Sequence, residues 1–288
     1  MNQKPIAETE TPAAGVTAGM SRRSFFQNAT LAGTTGAVGL YGLLNAAGAF
    51  AQEPDAMQPE DAKSQLTTGD KNILIAAQIA EALAVTTYTN IVDTAPFFPR
   101  LPDDDRGYLY AARQEEMSHY LLEESVTGQP SPYTAFYYPK HMFADAQTTL
   151  NTLVTLEDAF IAAYLIGVRN FSTADLRVTA ARIMGIESDH RTLARSLAGD
   201  VAPQDGGPIT KITGLQGVPE NVHPPNNNGY ERTLCLSTIG QAVQALLPFV
   251  DKTAAAKAGF DTAKSYPFEP FQPNLASPLG EFISFKGC

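Results

Sequence analysis

The sequence predicts an all-α protein: a four-helix bundle with a long crossover between its second and third helices, then a C-terminal helix and an irregular tail. Three observations predict it. Four stretches between residues 70 and 199 carry apolar side chains at helical spacing, separated by breaks rich in proline, glycine and polar residues. Two of these stretches repeat one motif, Glu116-Met-Ser-His119 and Glu187-Ser-Asp-His190, which sets a carboxylate and an imidazole about one turn apart on one helix face. The other two each hold a glutamate, Glu81 and Glu157, among apolar neighbours, where a carboxylate is rarely buried unless it is paired or bound.

Taken in order, residues 1–51 read as an export signal. Ser21-Arg22-Arg23-Ser24-Phe25-Phe26-Gln27 is similar to the twin-arginine motif, a weakly apolar Gly/Ala/Thr-rich run follows, and Ala49-Phe50-Ala51 offers a small-x-small cleavage site. The run is too interrupted for a good spanning helix, and no later stretch of about 18 apolar residues is expected to cross a membrane. The expected location is therefore the periplasm or the medium, reached through the twin-arginine export machinery. Removing residues 1–51 takes Lys4, Arg22, Arg23, Glu8 and Glu10 from the 20 basic and 30 acidic residues of the whole chain, leaving a net charge of −11. Nucleic acid is excluded as a partner, because phosphate neutralisation needs a basic footprint.

Residues 52–69 read as a polar linker. Thr68 or Asp70 is expected to cap the first helix, which runs to about Asp93 and turns Ile73, Leu74, Ala77, Ala80, Glu81, Ala84, Val85 and Tyr88 inward. Pro96, Pro99 and Pro102 break the chain, and Asp103-Asp104-Asp105 suits the next N-terminus. The second helix carries Glu116 and His119 to about Val126, with Gly128 as its stop. Residues 129–143 are dense in Pro, Tyr and Phe; about 15 extended residues reach ~50 Å, enough to run the length of a bundle. The third helix covers about 144–170 and carries Glu157. Ser172 and Asp175 are expected to cap the fourth, which carries Glu187 and His190 and stops near Gly199. Residues 200–230 are a Pro/Gly/Asn-rich loop. A fifth helix is expected from about 231 to Pro248, a short Ala-rich helix to about Gly259, and no regular structure after Tyr266. The domains are thus 1–51 signal, 52–69 linker, 70–199 bundle and 200–288 extension. In an oxidising compartment Cys235 and Cys288 are expected to form one disulfide.

Glu81-Ala-Leu-Ala-Val-Thr-Thr-Tyr88 aligns with Glu157-Asp-Ala-Phe-Ile-Ala-Ala-Tyr164, and a Glu-x-x-His follows each. Two related helix pairs would produce this repeat. The resulting order, Glu, Glu-x-x-His, Glu, Glu-x-x-His, is a ligand set for two metal ions: Glu81 and Glu157 terminal, Glu116 and Glu187 bridging, His119 and His190 one to each metal. Oxygen and imidazole donors suit two iron ions or two manganese ions rather than a closed thiolate zinc site. Tyr88 and Tyr164, two turns beyond their glutamates, are either core aromatics or groups that hydrogen-bond a ligand carboxylate or take part in redox chemistry. Glu115 and Asp189 flank the pairs and read either as partners that fix histidine orientation or as solvated face residues, with solvation favoured for Glu115. His141 and His223 read as surface residues.

On these residues, 70–199 resembles the ferritin-like superfamily of di-iron carboxylate proteins, and the exported layout with a C-terminal extension resembles the members grouped with plant desiccation-related proteins. The resemblance implies that Glu81, Glu116, His119, Glu157, Glu187 and His190 are the ligands. It also implies an oxidoreductase that oxidises Fe(II) or consumes O2 or peroxide in envelope stress defence. Phe160 stands where a rubrerythrin-type extra glutamate would fall, and no Cys-x-x-Cys module is present. Two alternatives differ in kind: peroxide dismutation of the manganese-catalase type, whose last Glu and His are usually spaced more widely than Glu187 and His190, and a non-enzymatic desiccation protein with a structural metal.

Overall fold

The computed structural model describes residues 66–200 and 234–275; the export segment, most of the linker, the loop from residue 201 onward and Cys288 lie outside the described residues. Four long helices form the bundle: α1 (Thr68–Thr94), α2 (Asp103–Thr127), α3 (Ala146–Asn170) and α4 (Ala174–Asp200). Helix α1 packs against α2 and α3, and α4 against α3 and α2. Short connections make α1/α2 and α3/α4 hairpins. Hydrogen bonds fix the other directions: Tyr88 of α1 donates to Glu157 of α3, and Tyr164 of α3 donates to Glu81 of α1. Each tyrosine lies seven residues after its own glutamate, so this exchange is possible only if α1 and α3 are antiparallel. Helices α2 and α3 then run the same way, and the chain must return along the bundle between them.

The return is residues 128–145, the long crossover. It contains a strand, β1 (Ala135–Pro139), and a 3-10 turn at Met142–Ala144. Phe136 and Tyr138 are buried from alternate positions of β1, as strand periodicity requires. The Tyr138 hydroxyl lies 3.0 Å from Thr87 Oγ1 of α1, and its ring packs edge-on against Phe143, Phe249 and Tyr266. Such ring pairs add about 0.5–1.5 kcal/mol each beyond area burial.

The chain just before the irregular tail holds an element that was not expected. Phe260–Pro267 is a strand, β2, antiparallel to β1, with a register irregularity between Phe136 and Tyr138. Proline does not prevent this, because Pro139 and Pro267 both close the pairing at strand ends, where a missing N–H is tolerated. Between them, α5 (Ile239–Val250) and α6 (Lys252–Lys257) pack against the bundle and the strands. Helix α5 starts at residue 239 rather than near 231, because Thr238 and Gln241 form a capping box. Pro248 sits inside α5, two residues before its end, and Asp251 caps α6 directly after it. Cys235 is exposed, and its expected partner Cys288 lies outside the described residues.

Two other caps fall one residue from where they were expected. Thr67 caps α1, since its hydroxyl accepts the N–H of Asp70 at 3.0 Å while Asp70 accepts the N–H of Thr67 at 3.1 Å. At α4, Thr173 accepts the N–H of Leu176, and Ser172 is drawn away to Asp70 through its N–H at 2.8 Å and its hydroxyl at 2.5 Å. Asp70 therefore ties the start of α1 to the α3–α4 corner. At the end of α3, Gly167 is required by close approach: a Cβ there would lie 2.8 Å from the ring of Phe171, which folds back over it.

Helix α3 is long and apolar enough to cross a membrane by length and composition, contrary to the expectation that no such stretch follows the signal. It is mostly buried inside the bundle, the position of a core helix, and it carries buried Glu157 and Asp158.

Burial works against the charge of Asp70, but the hydrogen bonds from Ser172 and Thr67 hold its carboxyl below the ordinary range. Its contribution is thus complete above the ordinary aspartate pKa and lost as pH falls through the lowered one. Asp70→Ala should lower stability by about 2–3 kcal/mol near neutral pH, measured by urea denaturation, whereas Lys71→Ala on the exposed face should change it little.

Candidate metal centre

Helical periodicity places Glu81, Glu116, Glu157 and Glu187 on the inward faces of the four bundle helices, and all four are at most 2% exposed. His119 and His190 are buried beside them. The six side chains converge in the middle of the bundle. His119 Nδ1 lies 3.2 Å from Glu187, 3.5 Å from Glu116 and 3.5 Å from Glu81. His190 Nδ1 lies 2.9 Å from Glu116 and 3.6 Å from Glu187. Two overlapping groups result, Glu81/Glu116/His119/Glu187 and Glu116/Glu157/Glu187/His190, each with ligating atoms within 4.8 Å of one another. Glu116 and Glu187 belong to both.

The fit of this pocket to cations rests on its unsatisfied atoms. Both carboxylate oxygens of Glu116 and Glu187, one each of Glu81 and Glu157, and Nδ1 of both histidines are buried without a hydrogen-bond partner. Buried polar groups are rarely left so, and these all face one another. Two divalent cations would satisfy them and bring the four carboxylates near neutrality.

Without cations the charges are balanced by protons. Burial, reinforced by Glu116 and Glu187, holds Glu81 and Glu157 well above the ordinary glutamate range. Burial opposes a charge on either histidine, yet Glu81 facing His119 and Glu116 facing His190 hold both well above the ordinary imidazole range. Glu116 goes the other way: burial would raise it, and the charge on His190 pulls it down. Burial and the facing carboxylates keep Tyr88 and Tyr164 as neutral phenols.

Tyr88 and Tyr164 each hold the buried glutamate of the opposite helix. The Tyr88 hydroxyl donates to Glu157 Oε1 at 2.7 Å, and Tyr164 donates to Glu81. Tyr88 also packs edge-on against the His190 ring, 5.7 Å between centroids. His141 is exposed in the crossover, and His223 lies outside the described residues.

The structure changes the reading of several neighbours. Glu115 is not simply solvated: its carboxylate is 2.9 Å from His190 Nε2 and so fixes that ring with Nδ1 toward the cluster. Asp189 is exposed. Glu123 was not singled out by the sequence, yet it is 2% exposed and accepts from the Tyr164 hydroxyl at 2.9 Å. One signal could have found it, since it lies seven residues after Glu116 and four after His119, on the same helix face. A buried ion pair, Asp158 to Arg191 at 2.8 Å, joins α3 to α4 one residue from Glu157 and His190 of the cluster.

Compared with known families, residues 69–200 match the model of a family described as a ferritin-like domain. This segment is similar to ferritin-like domains. The match spans all four bundle helices and every one of the six converging residues, and stops before α5. No curated protein and no solved structure matches the chain.

Glu81, Glu157, His119 and His190 all bind protons more tightly in the folded, metal-free protein than in an unfolded chain. The unfolded state therefore loses its protons first as pH rises, and metal-free stability should fall between about pH 5 and about pH 8. Loading with metal should displace those protons and reverse the slope. Urea denaturation across that range, with and without Fe(II) or Mn(II), checks both signs.

Proposed function

We propose that this chain is an exported di-metal carboxylate protein that binds two iron ions and oxidises Fe(II) or consumes O2 or peroxide, in defence of the cell envelope. The single observation that carries the reading is the pair of overlapping groups sharing Glu116 and Glu187, whose inward atoms have no hydrogen-bond partner. The ferritin-like match over the same residues supports it. In this reading Glu81 and His119 would hold one ion and Glu157 and His190 the other, with Glu116 and Glu187, which belong to both groups, available to each. Two iron ions would supply one-electron redox steps suited to reducing O2 or peroxide.

The protein's own groups prepare that chemistry. Glu115 holds the His190 ring in one orientation, and the two tyrosine hydroxyls hold one oxygen each of Glu81 and Glu157. Those carboxylates are fixed at one oxygen and free at the other. Tyr88 and Tyr164 also stand close enough to the cluster, through these hydrogen bonds, to serve as redox-active phenols. The surrounding apolar core keeps bulk water from the site, which strengthens each electrostatic contact within it.

Purified protein should contain two metal ions per chain, and Fe(II) added in air should be oxidised with consumption of O2. His119→Ala and His190→Ala should each cut metal content below two and abolish rapid oxidation, while His141→Ala should leave both unchanged. Metal analysis and an oxygen electrode check these outcomes. Manganese with peroxide dismutation would favour the catalase-type chemistry, and tightly held metal without turnover a structural role. Chains that take up no metal would overturn the proposal.

Export is tested separately. With Arg22 and Arg23 both replaced by Lys, the protein should accumulate in the cytoplasm as an uncleaved precursor, visible by fractionation and immunoblotting.

A further inference from the structure

The two halves of the cluster are related by an approximate two-fold repeat, and Glu123 breaks it. Four residues after His190 the matching place holds Ala194. Tyr88 therefore meets one carboxyl group, Glu157, whereas Tyr164 stands between two. Its hydroxyl is within hydrogen-bond reach of Glu81 Oε1 and lies 2.9 Å from Glu123 Oε1. A hydroxyl carries one hydrogen, so it donates to one of them at a time. The other contact is a hydrogen bond only if that carboxyl brings a hydrogen of its own. Without it, lone pairs would face each other in a dry interior. One carboxyl of the pair is therefore a neutral acid.

The surroundings decide which one. Glu81 Oε2 lies 3.5 Å from His119 Nδ1 and belongs to one of the two converging groups, so a charge on Glu81 faces an imidazole or a cation. Glu123 belongs to neither group. Among the described residues no lysine, arginine or histidine makes an ion pair with it, and its Oε2 is buried without a hydrogen-bond partner. Thr179 and Asp175 of α4 line the cavity beside it, but the Thr179 hydroxyl donates to the backbone carbonyl of Asp175 and neither side chain bonds Glu123. An unpartnered oxygen costs far more on a charged carboxylate than on a neutral acid. Burial, reinforced by Glu187 and Glu116 and opposed by the Tyr164 hydrogen bond and His119, holds Glu123 well above the ordinary glutamate range. A neutral Glu123 also keeps the charges even: two divalent cations offset four carboxylates, and a fifth would leave a buried charge over.

We infer that Glu123 is a positioning residue: it carries a proton on Oε1 and donates it to the Tyr164 oxygen, which commits the single hydrogen of Tyr164 to Glu81. This deepens the metal reading and rests on it for the part played by Glu81. The donated hydrogen polarises the Tyr164 O–H and so strengthens its bond to Glu81. One oxygen of Glu81 is then occupied, and the other is the one presented to a cation.

The test is infrared spectroscopy of the full-length exported protein loaded with Mn(II). The difference between wild type and Glu123→Gln should show one C=O stretching band of a protonated carboxyl, lost in the variant. In Tyr164→Phe that band should persist and move to higher frequency, because the acid has lost the oxygen to which it donates. Mn(II) affinity of Glu123→Gln should stay within roughly three-fold of wild type, since the amide is neutral like the acid and keeps a donor for Tyr164. No band lost in Glu123→Gln, a band that Tyr164→Phe does not move, or an affinity change of roughly ten-fold or more, the mark of a removed charge, would each overturn the inference. Metal content separates the two proposals. Chains that bind no Mn(II) yet lose the band in Glu123→Gln defeat the metal reading alone, and chains that bind two ions but lose no band defeat this inference alone.

Discussion

Four carboxylates on the axis of a helical bundle, out of reach of water, are the constraint on which the rest of this structure depends. Glu81, Glu116, Glu157 and Glu187 cannot all be charged there without compensation, since burial and mutual repulsion both oppose it. Cations or protons must balance them. Around that core each remaining oxygen has a dedicated donor: Tyr88 for Glu157, Tyr164 for Glu81. These bonds cross between helices, so the charge problem and the helix packing are solved by the same contacts.

The cluster also divides the apolar core. One apolar cluster fills the end of the bundle where Tyr138, Phe249 and the paired strands pack; a smaller one surrounds Ile73, Leu122, Tyr164 and Phe171 at the other. The larger end receives the crossover, α5 and β2, and is densely aromatic. The smaller end is closed by the α3–α4 corner, which Asp70 pins, and it retains the cavity. The approximate two-fold repeat therefore ends in two different environments. Glu115 faces His190 while the matching position before Glu187 is Ile186, and Glu123 has Ala194 as its counterpart.

Much of the site was legible in sequence because helical spacing converts directly into a shared face. Once Glu81, Glu157 and the two Glu-x-x-His pairs are assigned to helices, each must point to one side, and the apolar residues beside them show that the side is inward. Glu123 escaped because it stands next to Glu124 near a helix end, where acidic residues are ordinarily solvated; only its phase relative to Glu116 and His119 distinguishes it. For Glu115 the sequence favoured a solvated face over a histidine contact for a related reason. Adjacent residues point about a quarter-turn apart, so nothing local says that it reaches a histidine on another helix. The strand pair was hidden by proline, whose objection to a sheet applies to the missing N–H and vanishes at the ends of a ladder.

The sequence by itself determined the all-α class, the four long helices, the crossover and the six residues that meet, because periodicity and chain reach are properties of a local backbone. Tertiary structure alone decided which glutamate each tyrosine holds, that Asp70 bonds to Ser172 some hundred residues away, and that β1 pairs with β2. It also decided that, among the described residues, one end of the bundle is densely aromatic and the other keeps a cavity of about 60 Å³. Those outcomes depend on how helices sit against one another, and packing across elements leaves no period in the chain to be read.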